Sequence, residues 1–245
     1  MGLGFHGIRL AVTDTMIPER RRLSMEEYVI QRRFPRYRMT LPVLYRSTPG
    51  SGSVGAGWTR DLSEGGSCLE LDERVWAGTP LQVRLHTNRG SIELKAQVAW
   101  SGQPNPDGGN MHGVTFIQVP APQRQALRDL LRTKEDSRES GIRLPLVLAV
   151  SCRPKGRPGP PLYGRTGDIS RGGLSLRLLH AFPPGLKLEI TLHTPKGPLP
   201  AEGMITWVAP AERRRPGQLI QHGLRFTSLD WSTSLSLGLV AAELA

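Results

Sequence analysis

Four arginines, Arg32, Arg33, Arg36 and Arg38, fall within seven positions, and a compact Asp61-Leu62-Ser63-Glu64-Gly65-Gly66 follows downstream. An arginine fork pairs bidentately with phosphates and with the O6/N7 edge of guanine, while a carboxylate accepts from amino donors on a base edge. Asp and Ser beside two glycines also make a tight turn, because their side chains bond nearby backbone and glycine permits positive φ. Taken singly, the first stretch reads as a solvated basic linker and the second as a plain hairpin. Taken together, they describe a pocket for a guanine nucleotide.

The order Arg-x-x-x-Arg (Arg32, Arg36) and then Asp-x-Ser-x-x-Gly (Asp61, Ser63, Gly66), with a short strand-rich segment between, resembles the PilZ domain. That family consists of bacterial receptors for cyclic di-GMP folded as small antiparallel β-barrels. The resemblance implies that Arg32 and Arg36 clamp guanine edges and phosphates, with Arg33 adding to the phosphate field. It implies that Asp61 accepts from a guanine N1/N2 edge and that Ser63 bonds the ligand. Gly66, helped by Gly65, lets the backbone come close where a Cβ would collide. The ligand implied is cyclic di-GMP, with no cofactor and no metal. An effector of this kind passes its signal to a partner protein in motility, pili or biofilm control. The arginine stretch lies outside the barrel proper, so ligand is expected to order it.

The elements that must position these residues are strands. From Leu41 onward the hydrophobic period is two: Leu41, Val43 and Tyr45, then Cys68, Leu69 and Leu71, then Leu81, Val83 and Leu85. Ile92, Leu94, Ala96, Val98 and Trp100 alternate with polar or small residues, and Val114 and Phe116 complete the set. Such alternation means one buried face and one wet face, which places Trp100 in the core. After Pro120, Leu127, Leu130 and Leu131 sit at helical spacing within 123–134. Ser24 and Glu27 are placed to open a short helix in an otherwise unpatterned arm.

The second half repeats the first. Asp168-Ile169-Ser170-Arg171-Gly172-Gly173 echoes the Asp61 turn 107 residues on, Leu192-His193-Thr194 matches Leu85-His86-Thr87, and Trp207 matches Trp100. His222-Gly223 matches His112-Gly113 after a three-residue drift, and 230–245 matches the first helix. The expected fold is mainly β, with two tandem PilZ-like six-stranded antiparallel β-barrels, each followed by a C-terminal helix. The expected organisation is an arm over 1–31, a domain with both motifs over 32–134 and a second domain over 135–245. Aligning Leu41-Pro42 with Leu144-Pro145 sets Glu135 and Glu139 where Arg32 and Arg36 stand. The second domain then lacks Arg-x-x-x-Arg, and Asp168, Ser170 and Gly173 are weaker candidates there. Repetition of His86/His193 and His112/His222 favours structural roles for these histidines.

Composition narrows the alternatives. The chain has 28 Gly and 21 Pro in 245 residues, which suits turn-rich β structure. Net charge is +11, carried by 27 Arg and only 5 Lys. A GC-rich genome produces the same overall bias, though not the local cluster. Charge-driven nucleic-acid binding finds little stacking surface in 6% aromatics. No apolar run approaches the roughly 20 residues that span a bilayer, and the N-terminus lacks a signal-peptide layout. Cys68 and Cys152 form neither a metal spacing nor a disulfide framework, so a reducing, cytoplasmic setting is expected. No phosphate-binding loop, dinucleotide fingerprint, nucleophile elbow or acid/base pair stands out, so no enzyme is expected. The alternative is a PilZ-like adaptor that binds protein and ignores the nucleotide.

Overall fold

The computed structural model describes residues 33–48, 54–106, 108–135, 142–210 and 217–244. Arg32, the Ser24–Glu27 helix start, Glu139 and most of the segment separating the two repeats lie outside the described residues.

The first repeat runs β1 (Tyr37–Arg38), β2 (Pro42–Ser47), β3 (Val54–Ser63), β4 (Gly66–Leu71), β5 (Pro80–Thr87), β6 (Gly90–Pro104), β7 (Asn110–Ile117) and α1 (Ala121–Glu135). The second runs β8 (Leu144–Pro145), β9 (Ala149–Pro154), β10 (Leu162–Ser170), β11 (Gly173–Leu178), β12 (Lys187–Thr194), β13 (Gly197–Val208), β14 (Ile220–Ser228) and α2 (Trp231–Leu244). In the first, the order β3-β2-β5-β6-β7-β4 closes because β4 pairs back to β3, and β1 adds to the outer end of β3. The second closes in the same way through β10 and β11, with β8 in the place of β1. The molecule is therefore two closed six-stranded antiparallel barrels, each followed by a helix. Closure leaves no strand edge within the ring unpaired, which suits β structure exposed to water.

The period of two decides what fills each barrel. Leu41, Val43, Leu69, Leu71, Leu81, Val83, Leu85, Leu94, Ala96 and Val98 form one core, joined by Leu127, Leu130 and Leu131 from α1. Trp100 does not follow. A bulge between Val98 and Trp100 shifts the β6–β7 register, so the indole turns outward and stays 45% exposed. Trp207 does the same at 42% beside the Ile205/Trp207 shift.

The two helices differ because their sequences do. In α1 a leucine stripe enters the core and the opposite face is charged and exposed. Residues of α2 are small or apolar nearly all round, the signature of a helix covered on more than one side. Leu237, Val240 and Ala241 enter the second core, while Gly238 lies against the first barrel, where a Cβ would stand 2.9 Å from the Trp58 ring. Trp58 sits on the outer face of β3 and is only 2% exposed. Beside it the Arg171 guanidinium lies over Trp58 at 5.8 Å and over Trp231 at 5.7 Å. Its Nη1 donates to Glu70 Oε2 at 2.6 Å. Glu70, on the outer face of β4, also accepts from Asn105 at 2.8 Å and meets Arg60 at 3.5 Å. Burial works to raise its pKa, but Arg171, Asn105 and Arg60 together hold it below the usual carboxylate value of 4.5.

Buried histidines brace each barrel. Val75 N–H donates to His112 Nε2 at 2.9 Å, and Phe182 N–H donates to His222 Nε2 at 3.0 Å, which accounts for the repeated histidine. His112 must be neutral to accept this bond, with Nδ1–H donating to the Asn110 carbonyl at 2.9 Å. Burial holds His112 and His86 below the ordinary value of 6.5. The unfolded chain therefore takes up protons that the folded chain refuses, so stability is intact above pH 6.5 and declines as pH falls below it. Urea midpoints measured at pH 7.5 and 5.5 are expected to be lower at the acid value. A midpoint that is flat or rises on acidification contradicts the neutral-histidine brace.

Candidate functional site

The β3–β4 hairpin gathers much of the motif chemistry. A register shift between Thr59 and Asp61 sets Asp61 opposite Cys68, with its carboxylate on the outer face. Oδ1 accepts Cys68 N–H at 2.9 Å and Arg36 Nη1 at 3.0 Å, and Oδ2 lies 3.4 Å from the same nitrogen. Both side chains are about one quarter exposed, so the pair is partly dehydrated yet reachable. The β1 pairing, Arg38 with Asp61 and Tyr37 with Leu62, delivers Arg36 to this place. Phe34 packs on the turn itself: a Cβ on Gly65 would stand 2.8 Å from its ring. Arg33 stacks over Phe34 at 5.5 Å. Arg33, Arg36, Asp61 and Gly65 are thus brought together.

Ser63 and Gly66 face a different way. Ser63 is buried and its hydroxyl donates to the Gly66 carbonyl at 3.0 Å, closing the turn. The crowding at Gly66 comes from the Val114 carbonyl oxygen on β7, 2.2 Å from where a Cβ would be. Cys68 beside them is no nucleophile, since burial, then Asp61, push its thiol up to about 11.

The second hairpin repeats this geometry closely. Ser170 Oγ donates to Gly173 O at 3.1 Å, and Gly173 is crowded by Leu224 O at 2.1 Å. Arg143 Nη1 reaches Asp168 Oδ1 at 2.9 Å. This corrects the alignment through the two Leu-Pro pairs. Leu144-Pro145 belongs to the entry strand, where Leu144 pairs with Ile169 as Tyr37 pairs with Leu62. Leu148 holds the place of Leu41: its N–H donates to Thr166 Oγ1 at 2.8 Å as that of Leu41 donates to Thr59 Oγ1 at 2.9 Å. The offset of 107 therefore runs through the motif, so Arg143 replaces Arg36 and only Arg32 has become an acid, Glu139. Carrying that same offset back from the Asp168 turn would have found Arg143 in the sequence.

The PilZ domain model matches residues 30–133 and again 137–237. The chain belongs to the PilZ family. No curated protein matches it. Among solved structures it is similar to the PilZ domain of YcgR from Escherichia coli with c-di-GMP, at 17% identity over 43% of this chain and 92% of that one, TM-score 0.37. It is similar also to PlzA of Borreliella burgdorferi in complex with c-di-GMP, at 11% identity over 86% and 93%, TM-score 0.39. A third is the Bacillus subtilis inhibitor of motility MotI/DgrA, at 10% over 83% and 95%, TM-score 0.36.

In the first PilZ domain the outer-face row running away from Asp61 is Cys68, Gly113 and Trp100. The indole lies over Gly113, whose absent Cβ would be 2.0 Å from Nε1. An exposed aromatic plate therefore shares this face with the Arg36–Asp61 pair. Among the described residues of the two PilZ domains, no cluster of His, Cys, Asp or Glu is placed to hold a metal ion. No helix among them is long and apolar enough to cross a membrane.

Proposed function

We propose that the first PilZ domain binds cyclic di-GMP and that the chain is a cytoplasmic receptor, not a catalyst, that passes the binding event to a partner protein. The observation that carries this is the Arg36–Asp61 pair held against a turn on which Phe34 packs, which brings both halves of the motif to one face. Arg36 offers further guanidinium donors to phosphate or to guanine O6/N7, and Asp61 keeps acceptor capacity for an N1/N2 edge. Arg32 and Arg33 extend the cationic arm over the ligand. Ser63, Gly65 and Gly66 give the hairpin its shape, with the buried Ser63 hydroxyl closing the turn beneath the ligand face. The domain limits proposed are 32–134 and 135–245, after an arm over 1–31.

Signal transfer follows from where the site stands. Arg60, adjacent to Asp61, reaches Glu70, and Glu70 holds Arg171 of the second domain. A ligand that moves β3 relative to β4 acts directly on the contact between domains, and so on the surface offered in motility, pili or biofilm control. Isothermal titration of the full chain with cyclic di-GMP tests the reading. Saturable heat that GTP does not reproduce is expected. No heat with the intact chain leaves the adaptor that binds protein alone.

A further inference from the structure

A groove on β2, β5 and β6 of the first barrel recurs on the second barrel with its charges changed. In the first barrel its cavity of about 490 Å³ is lined by Leu44, Arg46, Val54, Gln82, Arg84 and Lys95 and walled by Gln118 and Pro120. In the second a cavity of about 560 Å³ is lined by Ser151, Arg153, Pro161, Glu189, Thr191 and Glu202, the same positions 107 residues on. Ser228 and Asp230 wall it, in the places of Gln118 and Pro120 after the three-residue drift. Val54 stands at the opposite end of β3 from Asp61, so the groove is separate from the motif hairpin.

The second groove supplies its own carboxylates. Glu189, Glu202 and Asp230 line it with a single arginine, Arg153. Arg153 Nε donates to Glu189 at 2.7 Å, and Lys155 Nζ donates to Glu202 at 2.6 Å. The first groove reverses the balance, with Arg46, Arg84 and Lys95 around one acid, Glu93. Arg84 donates to Glu93 at 2.9 Å. Gln82, however, holds the place of Glu189, and Lys95 that of Glu202. Arg46 and Lys95 are exposed and have no acidic partner among the described residues.

Geometry narrows what would supply the missing carboxylates. Arg46, Gln82 and Lys95 form one row across three strands, so two strand spacings set the cations roughly 9–10 Å apart at the backbone. In an extended peptide, residues i and i+2 share a face roughly 7 Å apart, and two acids so placed reach both cations through flexible arms. Leu44 lies beside the row, and Val54, 58% exposed, pairs with Arg46 and gives apolar contact. The amides of Gln82, Gln118 and Gln123 match the N–H and C=O groups of a peptide backbone. Gln118 is held at φ 50°, a strained conformation of the kind that collects at ligand sites. A lone carboxylate satisfies one cation and leaves the amides unused. We infer that this groove binds an extended acidic segment of a partner protein, with its acids two positions apart.

The inference rests on the reading that the chain acts through a partner protein, and its test uses no nucleotide. Full-length chain is titrated into fluorescein-labelled Leu-Glu-Val-Glu-Leu at low ionic strength, following anisotropy. Saturable binding is expected, weakened at least about tenfold by Arg46→Ala/Lys95→Ala. Gln82→Glu separates binding from folding. The new carboxylate meets Arg46 as Glu189 meets Arg153, so binding should fall by a similar factor while the urea midpoint does not. Calorimetry of the same variants with cyclic di-GMP should match the parent, which keeps failure here apart from failure of the receptor reading. Equal affinity in the parent and the double alanine variant overturns the proposal. So does equal affinity for Leu-Val-Glu-Glu-Leu, whose adjacent acids point to opposite faces, or glutarate binding as tightly as the peptide, which would make the groove a small-molecule site.

Discussion

Replacing Glu70 by alanine is expected to destabilise the chain by about 3–5 kcal/mol, the range for removing one partner of a buried ion pair. The Glu70 side chain is 2% exposed and that of Arg171 22%. Without the carboxylate, Arg171 is left between Trp58 and Trp231 with its charge uncompensated, and Asn105 and Arg60 lose an acceptor. Exposed pairs elsewhere, such as Arg84–Glu93, are worth at most about 1 kcal/mol because water solvates both ions. The contrast is measurable by urea unfolding of Glu70→Ala beside Glu93→Ala. Glu70→Leu combined with Arg171→Met should recover much of the loss, since a matched apolar pair has no desolvation to repay. A Glu70→Ala change below about 1 kcal/mol would mean that water reaches the clamp and that the domains are not locked through it. Acid acts in the same direction. Glu70 has its folded pKa held below 4.5, so its contribution is present above that value and is lost as pH falls through the folded one.

Arg36→Ala is expected to weaken cyclic di-GMP binding roughly tenfold to a hundredfold, from the loss of about 1.5–3 kcal/mol for a charge-assisted contact. The change also leaves Asp61 with Cys68 N–H but without its guanidinium, so an anionic ligand meets an uncompensated carboxylate. Arg36→Lys keeps the charge and loses the planar fork, and should recover only part of the affinity. Asp61→Ala removes the base-edge acceptor and frees Arg36, so affinity falls while discrimination between guanine and adenine cyclic dinucleotides falls further. Arg143→Ala, the matched change in the second domain, should leave the first-site affinity as it was. Calorimetry on the four variants checks the set, and equal losses from Arg36→Ala and Arg143→Ala would move the site away from the first hairpin.

The strands were legible because alternation is local. Ile92, Leu94, Ala96 and Val98 announce which face of β6 is buried, and the barrel follows once such faces must enclose a single core. Duplication was legible because the same turn residues recur at a fixed distance. The motif halves could be paired from their order, and in the structure Arg36 and Asp61 form an ion pair at 3.0 Å. Register was harder. A Leu-Pro pair recurs in both entry segments but stands in the barrel strand in one and before it in the other, and only the Asp168 pairing shows which arginine takes the place of Arg36.

The outer faces were decided by tertiary structure alone. Glu70 in a strand reads as a wetted residue, and Trp58 as one more candidate for the core, yet both are buried because another domain lies over them. Arg171 reads as a spacer in a turn, and becomes the bolt of that contact. Trp100 breaks its own alternation through a bulge that no propensity marks. A chain's local pattern records which side of each strand avoids water within its own barrel. What covers the other side depends on groups more than a hundred residues away, and those meet only after both barrels have closed.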